Sequence, residues 1–213
     1  MITTKQLIGA AALGLATIVT SSSAIAQADA DSASPGLIGK RYAGADFLLK
    51  DYRDLADNGY GGTLVFNQPI SEVVDLSANY AFNQANSQST DLTQSAISVG
   101  AVYYQQLDGY KPFMSAGLGY VWDHWDFPAP TVGDNDEGFS YKIGLGVEVP
   151  LTDKTAAIGE VSYQDGIDSG TEESWGIELG VNHWFTEKVA LKASVYVVED
   201  DSVSFRIGAR FAF

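Results

Sequence analysis

The chain ends with Val203-Ser204-Phe205-Arg206-Ile207-Gly208-Ala209-Arg210-Phe211-Ala212-Phe213, and this stretch decides the fold class. Apolar residues occupy every odd position, while Ser204, Arg206, Gly208 and Arg210 lie between them. Such a period of two residues is the signature of a β-strand, because successive side chains of a strand point to opposite faces. The segment is therefore predicted to be a strand with one apolar face and one polar face.

The same alternation recurs from Arg41 onward, without the i, i+3, i+4 spacing of an amphipathic helix. Each alternating segment holds about 8–12 residues, close to the ~9–11 residues of a tilted transmembrane strand. The sequence therefore predicts an all-β protein, a single antiparallel transmembrane β-barrel of ten strands or, alternatively, eight. The ten segments are 41–50, 59–68, 74–83, 94–104, 111–122, 139–149, 156–164, 174–183, 189–198 and 203–213.

The lengths of the connections help to distinguish a membrane barrel from a water-soluble one. Strand parity alone also allows a soluble barrel with its apolar face inside and its charges outside. The odd-numbered connections hold 8, 10, 16, 9 and 4 residues, and the others hold 5, 6, 6 and 5. Outer-membrane barrels combine short periplasmic turns with longer external loops. We therefore expect both chain ends in the periplasm, together with the turns Pro69–Val73, Gln105–Tyr110, Pro150–Thr155 and Trp184–Lys188.

Aromatic residues on the apolar faces also favour a membrane barrel. Many of them lie near strand ends, as in the two interfacial girdles of such barrels. A soluble β-sandwich would not favour a free C-terminal phenylalanine on an alternating strand. The aromatic residues expected to face lipid are Tyr60, Phe66, Tyr80, Phe82, Tyr103, Tyr120, Trp122, Phe139, Tyr141, Trp175, Phe211 and Phe213.

The N-terminal region has the order of a secretory signal peptide. Lys5 precedes a 13-residue apolar run, Leu7–Val19, which is followed by small and polar residues ending in Ala24-Ile25-Ala26. The run is too short to cross a bilayer as a helix, which takes ~20 residues. We predict a signal peptide at 1–26, a short linker at 27–36 and the barrel at 37–213. Ala28-Asp29-Ala30 offers a second cleavage site, and the absence of cysteine excludes a lipid-anchored cysteine.

Several stretches resemble the small outer-membrane β-barrel family that includes the OmpA-type transmembrane domain. Gly39–Asp46 is similar to its first strand, Lys111–Tyr120 to its central glycine-rich strand, and Gly146–Lys154 to a strand with its periplasmic turn. The ending Gly208–Phe213 resembles the C-terminal signal that the barrel-assembly machinery reads in that family. The resemblance implies an outer-membrane location and an assembly signal in Phe211 and Phe213.

Charged residues on the polar faces are the main candidate site. Acids and bases are nearly balanced there, so paired charges can fill the lumen; an ion-selective constriction is the alternative. A barrel of eight strands is just filled by side chains, so ten strands leave at most a narrow path. Arg206 is predicted to be held by Glu178, Glu160 or Asp46. The predicted network is Asp46, Lys142, Glu148, Glu160, Glu178, Lys192, Arg206 and Arg210, with Lys50 on the same faces.

Acidic residues dominate the predicted outer loops. These loops hold 16 of the 27 acidic residues and one base, Arg53, so cations must screen them. Gly133–Gly138 could offer oxygen ligands to Ca²⁺ but lacks EF-hand spacing, and a solvated acidic loop is the favoured interpretation; we predict no metal site and no cofactor. After signal cleavage 11 bases remain against 27 acids, a net charge of −16, which disfavours nucleic-acid binding.

An enzymatic function is the least favoured alternative. Omptin-type proteases are also ten-stranded barrels, and His124 in Asp123-His124-Trp125-Asp126 could serve as a general base. Their motifs are not matched, and no HExxH, Walker or dinucleotide motif occurs. The sequence predicts a monomeric structural or surface-interaction barrel that contacts lipid and divalent-bridged lipopolysaccharide, with a narrow ion or solute channel as the alternative.

Overall fold

A closed barrel of ten antiparallel strands forms the structure, a computed structural model that describes residues 35–51, 59–87, 90–126, 134–167, 173–199 and 202–213. Each strand pairs with its neighbours in the chain, and β1 pairs with β10 to close the barrel. The strands are β1 (Tyr42–Asp51), β2 (Gly59–Pro69), β3 (Val74–Ser87), β4 (Thr90–Tyr104), β5 (Lys111–Asp126), β6 (Asp134–Thr152), β7 (Thr155–Gly166), β8 (Ser174–Trp184), β9 (Val189–Val198) and β10 (Val203–Ala212).

All ten predicted strands are confirmed, and the eight-strand alternative is wrong. The predicted signal peptide and residues 27–34 of the predicted linker lie outside the described residues. No helix in the described ranges is long and apolar enough to cross a membrane.

Strands β3 to β6 are longer than the hydrophobic alternation predicted. The β3–β4 ladder continues to Ser87↔Thr90, and the β5–β6 ladder continues to Trp125↔Asp134. Polar residues such as Gln84 and Asp123 extend these strands. The backbone pairing therefore continues beyond the apolar alternation. The turn between β6 and β7 is correspondingly tighter than predicted, since only Asp153 and Lys154 separate the two strands.

The barrel has two different ends. One end carries the start of β1, the end of β10 and the connections 70–73, 105–110, 153–154 and 185–188, and we call it the terminal rim. The other end carries the remaining connections and the extended β3–β6 hairpins, and we call it the loop rim. The terminal rim has connections of 2 to 6 residues, whereas the loop rim has three of 7 residues together with shorter ones of 2 and 4, so the predicted alternation of short and long connections is confirmed only in part.

The outer face of the barrel exposes a band of large apolar side chains. Leu145 is 67% exposed, Leu179 is 63% exposed and Ile207 is 51% exposed, although each lies in the middle of a strand. A soluble protein rarely exposes a continuous apolar surface of this extent. The inward positions of the same strands carry charged, polar and small residues, so the predicted parity of the strands is confirmed.

Replacing Leu145 with arginine should cost about 2–4 kcal/mol in the free energy of unfolding, because the site lies at mid-height on the lipid-facing band. The measurement is urea unfolding of the protein refolded into lipid vesicles. Leu151 is 58% exposed but lies beside the β6–β7 turn, so Leu151→Arg is the matched control and should cost about 0–1 kcal/mol. Equal costs at the two sites would contradict the assigned membrane depth.

Candidate functional site in the barrel lumen

An ion pair bridges the strands that close the barrel. The Arg210 guanidinium donates to both carboxylate oxygens of Asp46, at 2.6 and 2.9 Å, and the Arg210 side chain is 3% exposed. Two glycines leave the necessary room: a Cβ on Gly208 would collide with the Asp46 carboxylate, and one on Gly44 would collide with Arg210. The β1–β10 seam is thus joined inside the lumen by a buried, bidentate pair.

A second group of charges lies on strands β6 to β9. Glu160 and Glu178 are direct cross-strand partners on β7 and β8, an arrangement of like charges that is destabilising alone. Lys142 lies 3.2 Å from Glu160, and Lys192 lies 2.7 Å from Glu178. The Ser115 hydroxyl also donates to Glu160 at 2.8 Å. Each carboxylate therefore has its own cation, and the mutual repulsion of the acids is offset.

Arg206 contacts an aromatic ring, and its charge also acts on Glu178, one of its predicted partners. Its guanidinium lies 5.4 Å from the ring centre of Tyr196, a cation–π distance. Asp46 is taken by Arg210 instead, which corrects the expected Arg206–Asp46 contact. Both arginines lie two residues from Gly208, the pairing partner of Asp46, but their own pairing partners differ. Arg210 pairs with Gly44, over which its side chain lies, whereas Arg206 pairs with Leu48.

Two cavities occupy the lumen around these charges. The larger has a volume of about 190 Å³ and the smaller, toward the loop rim, about 50 Å³. Arg206 lines both cavities. Tyr42 and Val102 line the larger cavity toward the terminal rim, and Lys142, Glu160, Glu178 and Lys192 also face it. The site is a polar, internally paired space rather than a wide channel.

The segment Pro35–Lys40 lies inside the terminal rim. Residues 35–39 are buried, and the segment ends in a turn in which the Lys40 amide donates to the Leu37 carbonyl. Gly39 has a φ of 86° at the third position of this turn, as a type II turn requires. Pro35 and Gly36, which the sequence assigned to a linker, are therefore enclosed by the barrel.

Side chains of the barrel bind the backbone of this segment. Glu148 accepts hydrogen bonds from the amides of Leu37 and Ile38, at 2.7 and 3.4 Å, and Asp75 accepts one from Gly39 at 2.8 Å. The carbonyls accept in turn. Their donors are Lys111 to Ile38, Asn67 to Lys40, and both Asn182 and Trp184 to Pro35, at distances of 2.5–2.8 Å.

Two apolar pockets hold the side chains of the same segment. Leu37 clusters with Trp184 and Ala190, with Tyr42 and Ala212 against them. Ile38 forms its own cluster on the opposite side of the lumen, with Tyr104 and Phe113 and with Val102 and Ile158 against them. Residues of all ten strands thus contact the segment or pack against the two clusters that contain Leu37 and Ile38.

The structure divides the predicted charge network into two levels. Asp46, Lys142, Glu160, Glu178, Lys192, Arg206 and Arg210 surround the larger cavity, whereas Glu148 lies at the terminal rim and binds the N-terminal segment. The other residues of that rim that bind the segment were not predicted from the sequence. Their positions could have indicated a site, because polar side chains and one tryptophan occupy inward positions beside the short turns: Asn67, Asp75, Lys111, Asn182 and Trp184.

The remaining predicted residues lie on the outside of the barrel. Phe211 and Phe213 are both just over half exposed, and Phe213 contacts Phe66 and the guanidinium of Arg41 at ring-centre distances of 6.2 and 4.6 Å. His124 is exposed on the outer face of β5, and His183 lies at the terminal rim. The described residues hold no cluster of three metal-ligating side chains, and Gly133 lies outside them.

Comparisons with known proteins concern the fold. The family model described as outer membrane protein beta-barrel domain matches residues 13–165. The N-terminal β-barrel domain of Pseudomonas aeruginosa OprF is similar over 82% of this chain and 98% of its own, with 16% identity and a TM-score of 0.45. Neisserial surface protein A is similar over 81% and 97%, with 14% identity and a TM-score of 0.48. Ail, the attachment invasion locus protein of Yersinia pestis, is similar over 82% and 98%, with 12% identity and a TM-score of 0.43. No curated protein matches the chain.

Proposed function

Since the chain belongs to the outer membrane protein β-barrel family, we propose that it is a structural or surface-interaction barrel whose lumen is closed to ions and solutes. The observation that carries this proposal is the enclosure of Pro35–Lys40 by side chains of all ten strands at the terminal rim. A peptide segment that satisfies its backbone hydrogen bonds in this way leaves little space for permeation.

The paired charges support closure at a second level. Arg210–Asp46, Lys142–Glu160 and Lys192–Glu178 all have side chains that are at most 20% exposed. Breaking a buried pair by removing one partner is costly, about 3–5 kcal/mol. Side chains held in buried ion pairs cannot easily move out of the path of a solute. The network therefore narrows the lumen between the segment and the loop rim.

The terminal rim faces the periplasm in this proposal, and the loop rim faces the exterior. The three longest connections and the extended β3–β6 hairpins lie at the latter, as longer external loops do in other outer-membrane barrels. The predicted outer loops, which lie at this rim, are rich in acidic residues. We infer that divalent cations bridge these residues to lipopolysaccharide, and that this surface provides the interaction role of a monomeric barrel.

Two further expectations complete the proposal. The exposed C-terminal aromatics, Phe211 and Phe213, serve as the signal for the barrel-assembly machinery, because they stand on the outer face of the closing strand. Catalysis has no part in the function: His124 faces outward on β5, away from the polar lumen.

Single-channel recording on purified, refolded protein tests the closed lumen. We expect rare openings or none in planar bilayers. Arg206→Ala should also stay closed, because Arg206 binds an aromatic ring and the segment at the terminal rim remains in place. If the unmodified protein conducted steadily, with an ion preference that Arg206→Ala abolishes, the closed-lumen proposal would be rejected in favour of a selective channel.

That channel is the second candidate function, and the larger lumen cavity favours it. The cavity holds about 190 Å³ and is lined by four cations and three carboxylates: Lys142, Lys192, Arg206, Arg210, Asp46, Glu160 and Glu178. This excess of one positive charge favours small anions over cations. A channel of this kind would therefore show anion preference in a salt gradient.

A further inference from the structure

We propose that the terminal rim is a peptide-binding site whose resident ligand is the barrel's own Pro35–Lys40 segment, and that withdrawal of this segment opens the lumen. The proposal rests on the proposed function, in which the barrel is closed while the segment is bound. It specifies which groups of the barrel bind the segment, and it makes the closure of the lumen reversible.

The segment lies at the terminal-rim end of the larger cavity, beyond Tyr42 and Val102. Tyr42 and Val102 line this cavity and also pack in the clusters of Leu37 and Ile38, respectively. Removing the segment would therefore join the cavity to the solvent at the terminal rim. Arg206 lines both the larger and the smaller cavity, so the path would continue past its guanidinium toward the loop rim.

Recognition at this site is directed at the main chain of a peptide that ends in a turn. Three consecutive amides, from Leu37 to Gly39, donate to the carboxylates of Glu148 and Asp75. The carbonyls of Pro35, Ile38 and Lys40 accept from four side-chain donors on three strands. Lys111 also lies 3.8 Å from Glu148. Such a set of donors and acceptors binds main-chain groups whatever the side chains of the peptide are.

Selectivity comes from two glycines and two apolar residues. A Cβ on Gly36 would overlap the carboxylate of Glu148, and one on Gly39 would lie 3.0 Å from the Tyr104 hydroxyl. Gly39 also has a positive φ, which most other residues adopt only with strain. Leu37 and Ile38 fill separate pockets. The site thus selects a peptide of the pattern Gly-apolar-apolar-Gly.

The segment can leave without breaking the barrel. Its hydrogen bonds to the described parts of the barrel go to side chains, while the β1–β2 and β1–β10 ladders begin only at Tyr42. Withdrawal therefore leaves every strand pairing intact. A short tether keeps the released segment at millimolar effective concentration, so the bound state is restored quickly.

The test compares two refolded variants by single-channel recording. The first starts at Arg41 after an initiator Met and lacks the segment; the matched control starts at Ser34 and keeps it. We expect steady openings from the first and none from the second. The peptide Ser-Pro-Gly-Leu-Ile-Gly-Lys, with an amidated end, is then added to both sides of the bilayer and should close the first variant.

A peptide with valine at the positions of Gly36 and Gly39 measures selectivity. We expect about 10- to 100-fold weaker block, which corresponds to the strain and overlap at these sites. Equal block by the two peptides would overturn the proposed peptide site, and so would an Arg41 variant that stays closed. Neither result would contradict the proposal that the lumen of the unmodified protein is closed. Steady conductance of the unmodified protein would instead overturn the proposed function.

A full-length variant covers the case in which the Arg41 variant does not refold. Gly36→Val and Gly39→Val together should displace the segment while the chain keeps its length. We expect this double variant to conduct and the natural peptide to block it. A double variant that refolds and stays closed would overturn the proposal.

Discussion

Replacing Asp46 with alanine is expected to lower the free energy of unfolding of the refolded barrel by about 3–5 kcal/mol, since the change leaves a buried charge without its partner. The Arg210 side chain is 3% exposed, and both of its hydrogen bonds to Asp46 would be lost. Urea titrations in lipid vesicles, followed by tryptophan fluorescence and by heat-modifiable migration in gels, measure the effect.

A double variant separates the cost of the unpaired charge from the value of the pair. Asp46→Ala combined with Arg210→Met removes both charges, and we expect it to regain most of the lost stability. Arg210→Met alone leaves Asp46 unpaired and should again be destabilising. If Asp46→Ala cost less than ~1 kcal/mol, the bidentate contact across the seam would not be a determinant of stability.

Replacing Glu148 with alanine should have a comparable effect, a loss of about 3–5 kcal/mol, for a different reason. Glu148 is 2% exposed, accepts from two amides of the N-terminal segment and lies 3.8 Å from Lys111. Its removal leaves these two amides without their acceptor and the Lys111 ammonium without its counter-charge. Unsatisfied buried groups of this kind cost about 1–3 kcal/mol each.

Glu148→Gln is the matched control, since the amide keeps an acceptor oxygen but gives up the charge. We expect a smaller loss of stability than for Glu148→Ala. Release of the segment can be followed separately: a cysteine placed by Leu37→Cys is unique in this chain, which has none of its own, and should react faster with a water-soluble maleimide in the Glu148→Ala background. Unchanged reactivity would show that Glu148 does not retain the segment.

The strands were predictable because each carries its own signal. A period of two residues reports which side chains share a face, and every predicted segment corresponds to a strand. The ends of β3 to β6 at the loop rim were not predicted because, outside the apolar band, polar residues such as Gln84 and Asp123 leave no contrast between the two faces of the strand. Backbone pairing there continues without the hydrophobic pattern.

The lumen contacts were less predictable, since they depend on register and side-chain reach. Parity places Asp46, Arg206 and Arg210 on one face, but the residues opposite the two arginines, Gly44 for Arg210 and Leu48 for Arg206, make the difference that lets Arg210 reach Asp46. The N-terminal segment gave a misleading signal. Pro35, Gly36 and Gly39 are typical of turns and linkers, and the burial of this segment arises from contacts with its backbone, which no periodicity in the sequence records.

The two pockets of the N-terminal segment have a consequence for the order of assembly. The Leu37 pocket is built from β1, β8, β9 and β10, and the Ile38 pocket from β4, β5 and β7. In an open sheet β1 would lie at the edge opposite β10, so the Leu37 pocket is complete only after β1 and β10 have paired. Docking of Leu37 is therefore coupled to the meeting of the first and last strands, and its burial reports that the barrel has closed.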